Sequence, residues 1–421
     1  MLNASCDLFE TGRSLGHKIR YDGIMHTRFK CLMGCVLLAV MLCACGGVGW
    51  PFNTRPQTSS AALGDLDGDG DLDLYLANRE NEGVVADVVW LNDGAGRFDA
   101  PLVQPYEAET LFISLADLNR DGSLDAVLGL NGAVQLAFNT GGGRLADDRR
   151  FLLVEDSAMY SAFPDLGDLD RDGDLDLVVA GCCGGVMSGN GWQRLLQPFS
   201  LVWWNDGQGQ FTDSGQRLGP SGASGAALGD LDGDDDLDLL MANSSQVSNV
   251  NGASLNNEPN QVWWNDGQGQ FTDSGQRLGG QESYAAALGD LDGDGDLDAF
   301  FGNQGPDEIW WNDGSGSFTN SGLVLRQAPT RLAQLVDLDG DGDLDLFAAD
   351  RGEGEVWLNH FRQSVGEPPA FTRSQQLTYS QWSGAALGDV DGDGDPDLVL
   401  GRLDEQVQVW WNDGAGSFSQ R

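Results

Sequence analysis

From residue 61 onward, apolar positions come in short runs separated by acidic or glycine-rich turns, with no helical period anywhere. Leu72-Asp73-Leu74-Tyr75-Leu76-Ala77 is one such run, and its alternation predicts a β-strand. Each unit opens on small residues and Leu-Gly-Asp, passes through an acidic stretch and continues into an apolar strand. A variable segment follows, and then Val-Trp-Trp-Asn-Asp-Gly-x-Gly-x-Phe. That closing motif is clear at 202–211, 262–271 and 409–418, begins with Ile at 309–318, and has Leu91 for the second Trp at 89–98. Asn-Asp-Gly between two β-rich runs predicts a tight hairpin. Each unit is then four antiparallel strands: A before the acidic stretch, B after it, C up to the hairpin and D beyond. The acidic stretch starts at Asp65 and again at Asp117, Asp168, Asp230, Asp290, Asp337 and Asp389. Seven units of four strands, about 50 residues apart, predict an all-β, seven-bladed β-propeller.

Within the first acidic stretch, Asp65, Asp67, Asp69 and Asp73 stand at positions 1, 3, 5 and 9, with Asp71 at position 7. Glycine at position 6 permits a sharp turn, and position 7 can offer a backbone carbonyl. Hard oxygen donors without His or Cys suit Ca²⁺ better than zinc or copper. The start is like an EF-hand loop, but Leu76 occupies the twelfth position, where a bidentate Glu belongs, and a strand follows instead of a helix. The expectation is a nine-residue calcium loop between strands A and B. Acidic turns without a cation would leave the carboxylates repelling one another in every copy. The equivalent residues are Asp117, Asn119, Asp121, Ser123 and Asp125; Asp168, Asp170, Asp172, Asp174 and Asp176; and Asp230, Asp232, Asp234, Asp236 and Asp238. Then come Asp290, Asp292, Asp294, Asp296 and Asp298; Asp337, Asp339, Asp341, Asp343 and Asp345; and Asp389, Asp391, Asp393, Asp395 and Asp397. The fourth copy has Asp235 in place of the turn glycine, so its site is expected to be the weakest and five to seven ions are expected in all.

These units resemble FG-GAP/VCBS repeats, which build the seven-bladed propeller of integrin α subunits. The pattern Asp-x-Asp-x-Asp-Gly-x-x-Asp is met in full at Asp65, Asp168, Asp290, Asp337 and Asp389, and the resemblance spans residues 61–421. It implies calcium between strands A and B, and ligand contacts on the face away from the cations. Strand order points the same way. A–B and C–D turns share one end of every blade, and B–C and D–A loops share the other. The longest B–C segments are Gly181–Ser200 in the third blade and Asn243–Asn260 in the fourth, the latter rich in Asn, Ser and Gly. Function gathers on variable loops over a rigid scaffold, so these two are the expected contact region. Paired tryptophans such as Trp203-Trp204 are expected as packing between blades, where both faces of a strand are buried. His360, in an irregular C–D turn, is expected in solvent.

Charge narrows the partners. The net charge is −42, and 34 of the 65 Asp and Glu residues lie in the seven loops, so most of the acidity belongs to cation binding. No basic stripe could neutralise phosphates, which excludes nucleic acid. The expected partner is a protein or glycan, met by a monomer in an adhesion or recognition role. Two other readings stay open: a calcium-dependent polysaccharide-degrading enzyme using residues such as Tyr160 or Tyr284, and a scaffold of a surface assembly. Neither is selected by any spacing of nucleophile and base.

The first 60 residues read differently. Arg28 and Lys30 precede a short apolar run that ends Leu42-Cys43-Ala44-Cys45-Gly46, which resembles a bacterial lipobox. Residues 1–24 then read as a gene-model extension, 25–44 as a signal peptide, and 45–60 as the lipidated Cys45 with a tether or closing strand. Trp50-Pro51-Phe52-Asn53-Thr54 is the segment expected to pack on the short last strand of the seventh blade. Such a chain is exported and held at a bacterial outer membrane or cell surface by its lipid. Cys182 and Cys183 alone remain in the body, open between a vicinal disulfide and two thiols. Replacing Cys45→Ser should release the protein from membranes or block its processing. Absence of labelled fatty acid on the parent chain would contradict the lipid anchor.

Overall fold

The computed structural model describes residues 57–421 except 80–85, 99–100, 108–109, 131–132, 147–149, 153–160, 183–184, 189–190, 195–198, 220–221, 245–257, 351, 362–368, 380–381 and 403–406. Cys45, the signal segment, Trp50–Thr54, Tyr160, Cys183 and most of the fourth-blade B–C segment lie outside these residues, as does the side chain of Cys182. Seven four-stranded antiparallel sheets follow one another along the chain, each built from a single contiguous segment. The blades span 57–107, 110–152, 161–218, 223–278, 283–324, 332–378 and 382–419. Among the described residues there is no helix. In the first blade the strands are Gln57–Gly64, Asp73–Arg79, Ala86–Trp90 and Leu102–Glu107, paired in sequence order. Strand A thus starts four residues earlier than the hydrophobic pattern suggested.

The core lies between blades. Seven hydrophobic clusters each join two neighbours: Leu136 and Phe138 of the second blade meet Leu177 and Trp203 of the third, and so on round the ring. This explains why strand B is apolar at consecutive positions. Asp298–Asn303 and Asp238–Asn243 are buried at every residue, because a neighbouring blade covers each face. The expected packing role of the tryptophans holds: Trp203 and Trp263 are buried. The second tryptophan of a pair lies under the hairpin of the next blade. A Cβ on Gly269 or Gly316 would collide with the ring of Trp204 or Trp264, so only glycine fits there.

The ring closes by this same packing. Leu74 and Leu76 of the first blade cluster with Val390 and Val399 of the seventh. Gly384 lies against the backbone of Ser60 and Ala61, where a Cβ would come within 2.7 Å. The seventh blade takes its outer strand, Phe418–Ser419, from its own chain end. One addition was not foreseen: the third-blade B–C segment carries a two-stranded hairpin, Gly185–Ser188 with Gly191–Arg194.

At the B–C end of the first junction, Asp87 is fully buried. Its carboxylate accepts from the Tyr75 and Thr110 hydroxyls at 3.0 and 2.7 Å and from the Asn78 N–H at 2.7 Å. Burial pushes its pKa up to about 7 despite these donors. The folded state therefore holds a proton that the unfolded chain releases near pH 4. The stabilisation from that proton is complete below pH 4 and is lost as pH rises through about 7. Asp87→Asn should be least favourable relative to the parent at pH 5 and gain on it steadily up to pH 8. Parallel melting curves in saturating Ca²⁺ check this, and a difference independent of pH would contradict it.

Candidate functional site: a ring of acidic loops

Every acidic loop is folded by its own carboxylates. In the first, Asp65 at position 1 accepts from the N–H groups of Gly68 and Gly70 at 2.7 and 3.1 Å. Asp67 accepts from the Asp69 N–H, and Asp69 from the Asp71 N–H. The same bonds recur in the other copies, including the Asp121 N–H on Asn119 and the Ser123 N–H on Asp121. Position 6 is left-handed as expected, and Asp235 adopts φ 67° there with its N–H on Asp230, so the fourth loop keeps its shape. Position 4 is left-handed too, which sequence reading missed. Glycine stands there in five copies, the available signal, while Arg120 and Arg171 take φ 60° and 62°.

The two arginines reach across to the next loop. Arg120 pairs with Asp174 at 2.6 Å and Arg171 with Asp236 at 2.7 Å. These aspartates stand at position 7, whose side chains turn away from the loop centre toward the hairpin of their own blade. The Asp71 carboxylate lies where a Cβ on Gly94 would be, and Asp174, Asp236, Asp296 and Asp395 do the same with Gly207, Gly267, Gly314 and Gly414. Position 7 is therefore suited to offer a cation its backbone carbonyl rather than its carboxylate.

Position 9 works twice. Asp73 accepts from the Leu66 N–H through one oxygen and from the Asn92 N–H through the other. Asn92 then donates its side-chain amide to Leu72 O and to Val390 O of the preceding blade. All seven hairpin asparagines repeat this: Asn139 reaches Leu66 O, Asn205 Leu118 O, Asn265 Leu169 O, Asn312 Leu231 O, Asn359 Leu291 O and Asn412 Leu338 O, at 2.8–2.9 Å. Burial pushes Asp73, Asp125 and Asp397 up to about 6, and Asp176, Asp238, Asp298 and Asp345 up to about 7. Carboxylates this costly to ionise call for a positive charge beside them.

The residues present fit a hard cation. One oxygen each from Asp65, Asp67 and Asp73, and from Asp168, Asp170 and Asp176, lie within 4.8 Å of one another. So do those of Asp230, Asp232 and Asp234, and of Asp290, Asp292 and Asp294. Oδ1 of Asp168, Asp232 and Asp391 is buried with no hydrogen-bond partner, an arrangement that a cation would complete. His360 departs from expectation. It is half-buried beside Asp339 and Asp341. Tyr284 lies at the opposite end, bonded to Gln304 and Glu282, with Arg331 over its ring.

The FG-GAP-like repeat model matches residues 65–128, 117–179, 190–241, 251–301, 290–333, 337–400 and 389–421. The chain belongs to the FG-GAP-like repeat family. Its structure is similar to BBS1N in complex with ARL6DN, at 11% identity over 84% of this chain and 91% of that one, TM-score 0.50. It is also similar to an Agrocybe aegerita lectin that recognises non-reducing terminal N-acetylglucosamine, at 18% identity, 88% and 90% coverage and TM-score 0.49. A Bacillus licheniformis rhamnogalacturonan lyase matches at 12%, 86% and 74%, TM-score 0.45. A comparison with curated proteins finds no match. At this identity the first of these structures speaks for the fold alone.

Asp235 is the one non-glycine at position 6. A left-handed residue other than glycine costs on the order of 1 kcal/mol, partly offset by the greater freedom glycine has when unfolded. Asp235→Gly should therefore stabilise the protein by about 0.5 kcal/mol, the more so without metal, as it also removes one of six crowded charges. Urea unfolding checks this, and a destabilised variant would contradict it.

Proposed function

We propose that this FG-GAP-repeat propeller is a calcium-stabilised recognition module, held at the cell surface by lipid on Cys45, that binds a protein or glycan through its B–C and D–A loops. The observation that carries the calcium reading is the buried, unpartnered Oδ1 of Asp168, Asp232 and Asp391 inside the acidic loops. Asp and Asn at positions 1, 3, 5 and 9 would hold the ion, with the position-7 carbonyl. When bound, Ca²⁺ supplies the charge that lets the ninth-position carboxylates ionise while still holding the hairpin N–H groups.

This reading also assigns the ends of the propeller. The loop end is tied blade to blade by asparagine and arginine, which suits it to rigidity. The other end carries the length variation, including the Gly185–Ser188 hairpin of the third blade and the B–C segment of the fourth. A ligand there would meet loops on a base tied blade to blade.

Sites of millimolar affinity add stability by mass action, each contributing about 1.4 kcal/mol at ten times its dissociation constant. Several together should raise the melting temperature by on the order of 10 °C in about 10 mM Ca²⁺, with a much smaller rise in Mg²⁺. A melting curve unchanged between Ca²⁺ and excess EDTA, after verified metal removal, would overturn the calcium reading. Glycan and protein arrays probed with the lipid-free chain in Ca²⁺ and in EDTA test the recognition role. A chain silent on both would leave it without support.

A further inference from the structure

The sixth loop is unlike the other six in what faces it. Five blades place Asn-Asp-Gly beside their loop, and the second places Asn139-Thr140-Gly141. In the sixth, Asn359 keeps the shared role, with its N–H on Asp345 at 2.7 Å and its amide on Leu291 O at 2.8 Å. The next residues are His360 and Phe361. The Phe361 ring crosses to the fifth loop and occupies the space beside Gly293, where a Cβ would come within 2.1 Å of Cε1. Anchored on both sides, His360 is held over its own loop. A ring nitrogen of His360 and one carboxylate oxygen each of Asp339 and Asp341 lie within 4.8 Å of one another.

An imidazole changes what such a loop prefers. Ca²⁺ takes oxygen ligands and gains little from nitrogen, whereas affinity for N/O sites rises through the first-row dications toward Cu²⁺. Two carboxylates and one imidazole are a donor set suited to Mn²⁺, Co²⁺, Ni²⁺ or Zn²⁺. We propose that the sixth loop is a mixed nitrogen–oxygen site for a first-row transition dication, held by Asp339, Asp341 and His360, while the other six loops are all-oxygen sites. The proposal rests on the reading of these loops as cation sites and goes beyond it in assigning one of them a different metal.

Co²⁺ is the probe, added to the metal-stripped full chain in saturating Ca²⁺ at fixed pH and followed by its visible absorption. Parent, His360→Gln and His360→Asp are compared, the last restoring the residue that five other blades carry. His17 and His26 are common to all three chains and cancel in the comparison. The expected result is one equivalent of Co²⁺ bound to the parent at least tenfold more tightly than to either variant, with Zn²⁺ displacing it and excess Ca²⁺ failing to. Both variants should keep the parent's Ca²⁺-induced rise in melting temperature, which shows that they fold. Equal Co²⁺ binding by the three chains, or ready displacement by Ca²⁺, would overturn the proposal and leave the calcium reading intact. Loss of the Ca²⁺ response in every chain would instead sink the calcium reading, while His360-dependent Co²⁺ binding would still decide this one.

Discussion

The structure depends on one carboxylate per blade, the aspartate at the ninth position of each loop. It closes the hairpin through the asparagine N–H in every blade and, in the first six, the loop through the N–H at position 2, as Asp298 does for Asn312 and Leu291. The asparagine then spends its amide on a carbonyl in the same blade and on another in the blade before. Seven such links form a ring in which the first blade bonds to the seventh through Asn92 and Val390, residues 298 apart in sequence. Each link is worth about 1 kcal/mol when made and more when broken, because the partner left behind is buried.

The hydrophobic packing answers to this geometry. Strands B and C are apolar on both faces because a neighbour covers each, and blade spacing is set by small residues at fixed points. Gly229 before the fourth loop lies against Leu288 and Leu297 of the fifth blade, and Gly269 in its hairpin lies on Trp204 of the third. Side-chain amides add a second tie near the rim: Gln216 bonds both Gly269 O and the Phe271 N–H, and Gln276 does the same with Gly316 and Phe318. Acidic loops, polar ring and aromatic stacking therefore share one end of the propeller. The other end, where buried Asp87 and Asp307 accept from the Asn78 and Asn303 N–H groups, is where blades differ.

The repeat made most of the fold legible. Loop, strand alternation and Asn-Asp-Gly recur often enough that four strands per unit and seven units follow without a structure. The left-handed turn at position 6 and the packing of Trp203 and Trp263 were legible for the same reason. What escaped was whatever links one unit to another. Nothing in the spacing of Asn205 or Asn265 points to a carbonyl 87 or 96 residues earlier. Nothing in the sequence placed Arg120 and Arg171 beside the neighbouring loops. His360 looked solvated because it follows a broken hairpin motif, and only the fold back onto Asp339 and Asp341 gives it a place in the chemistry. The buried Asp87 gave no signal at all, being one of three acids between Arg79 and Trp90.

The central claim is that the ninth-position aspartates join the acidic loops and the interblade ring into one unit, so that a cation bound in the loops would tighten contacts between blades. Amide hydrogen exchange in Ca²⁺ and in EDTA tests it most directly. The account predicts that the hairpin amides of Asn205, Asn265 and Asn312 and the position-2 amides of Leu169, Leu231 and Leu291 slow at least tenfold more on adding Ca²⁺ than the Asn78 amide at the opposite end. Equal slowing at both ends, or none at the asparagines, would contradict it.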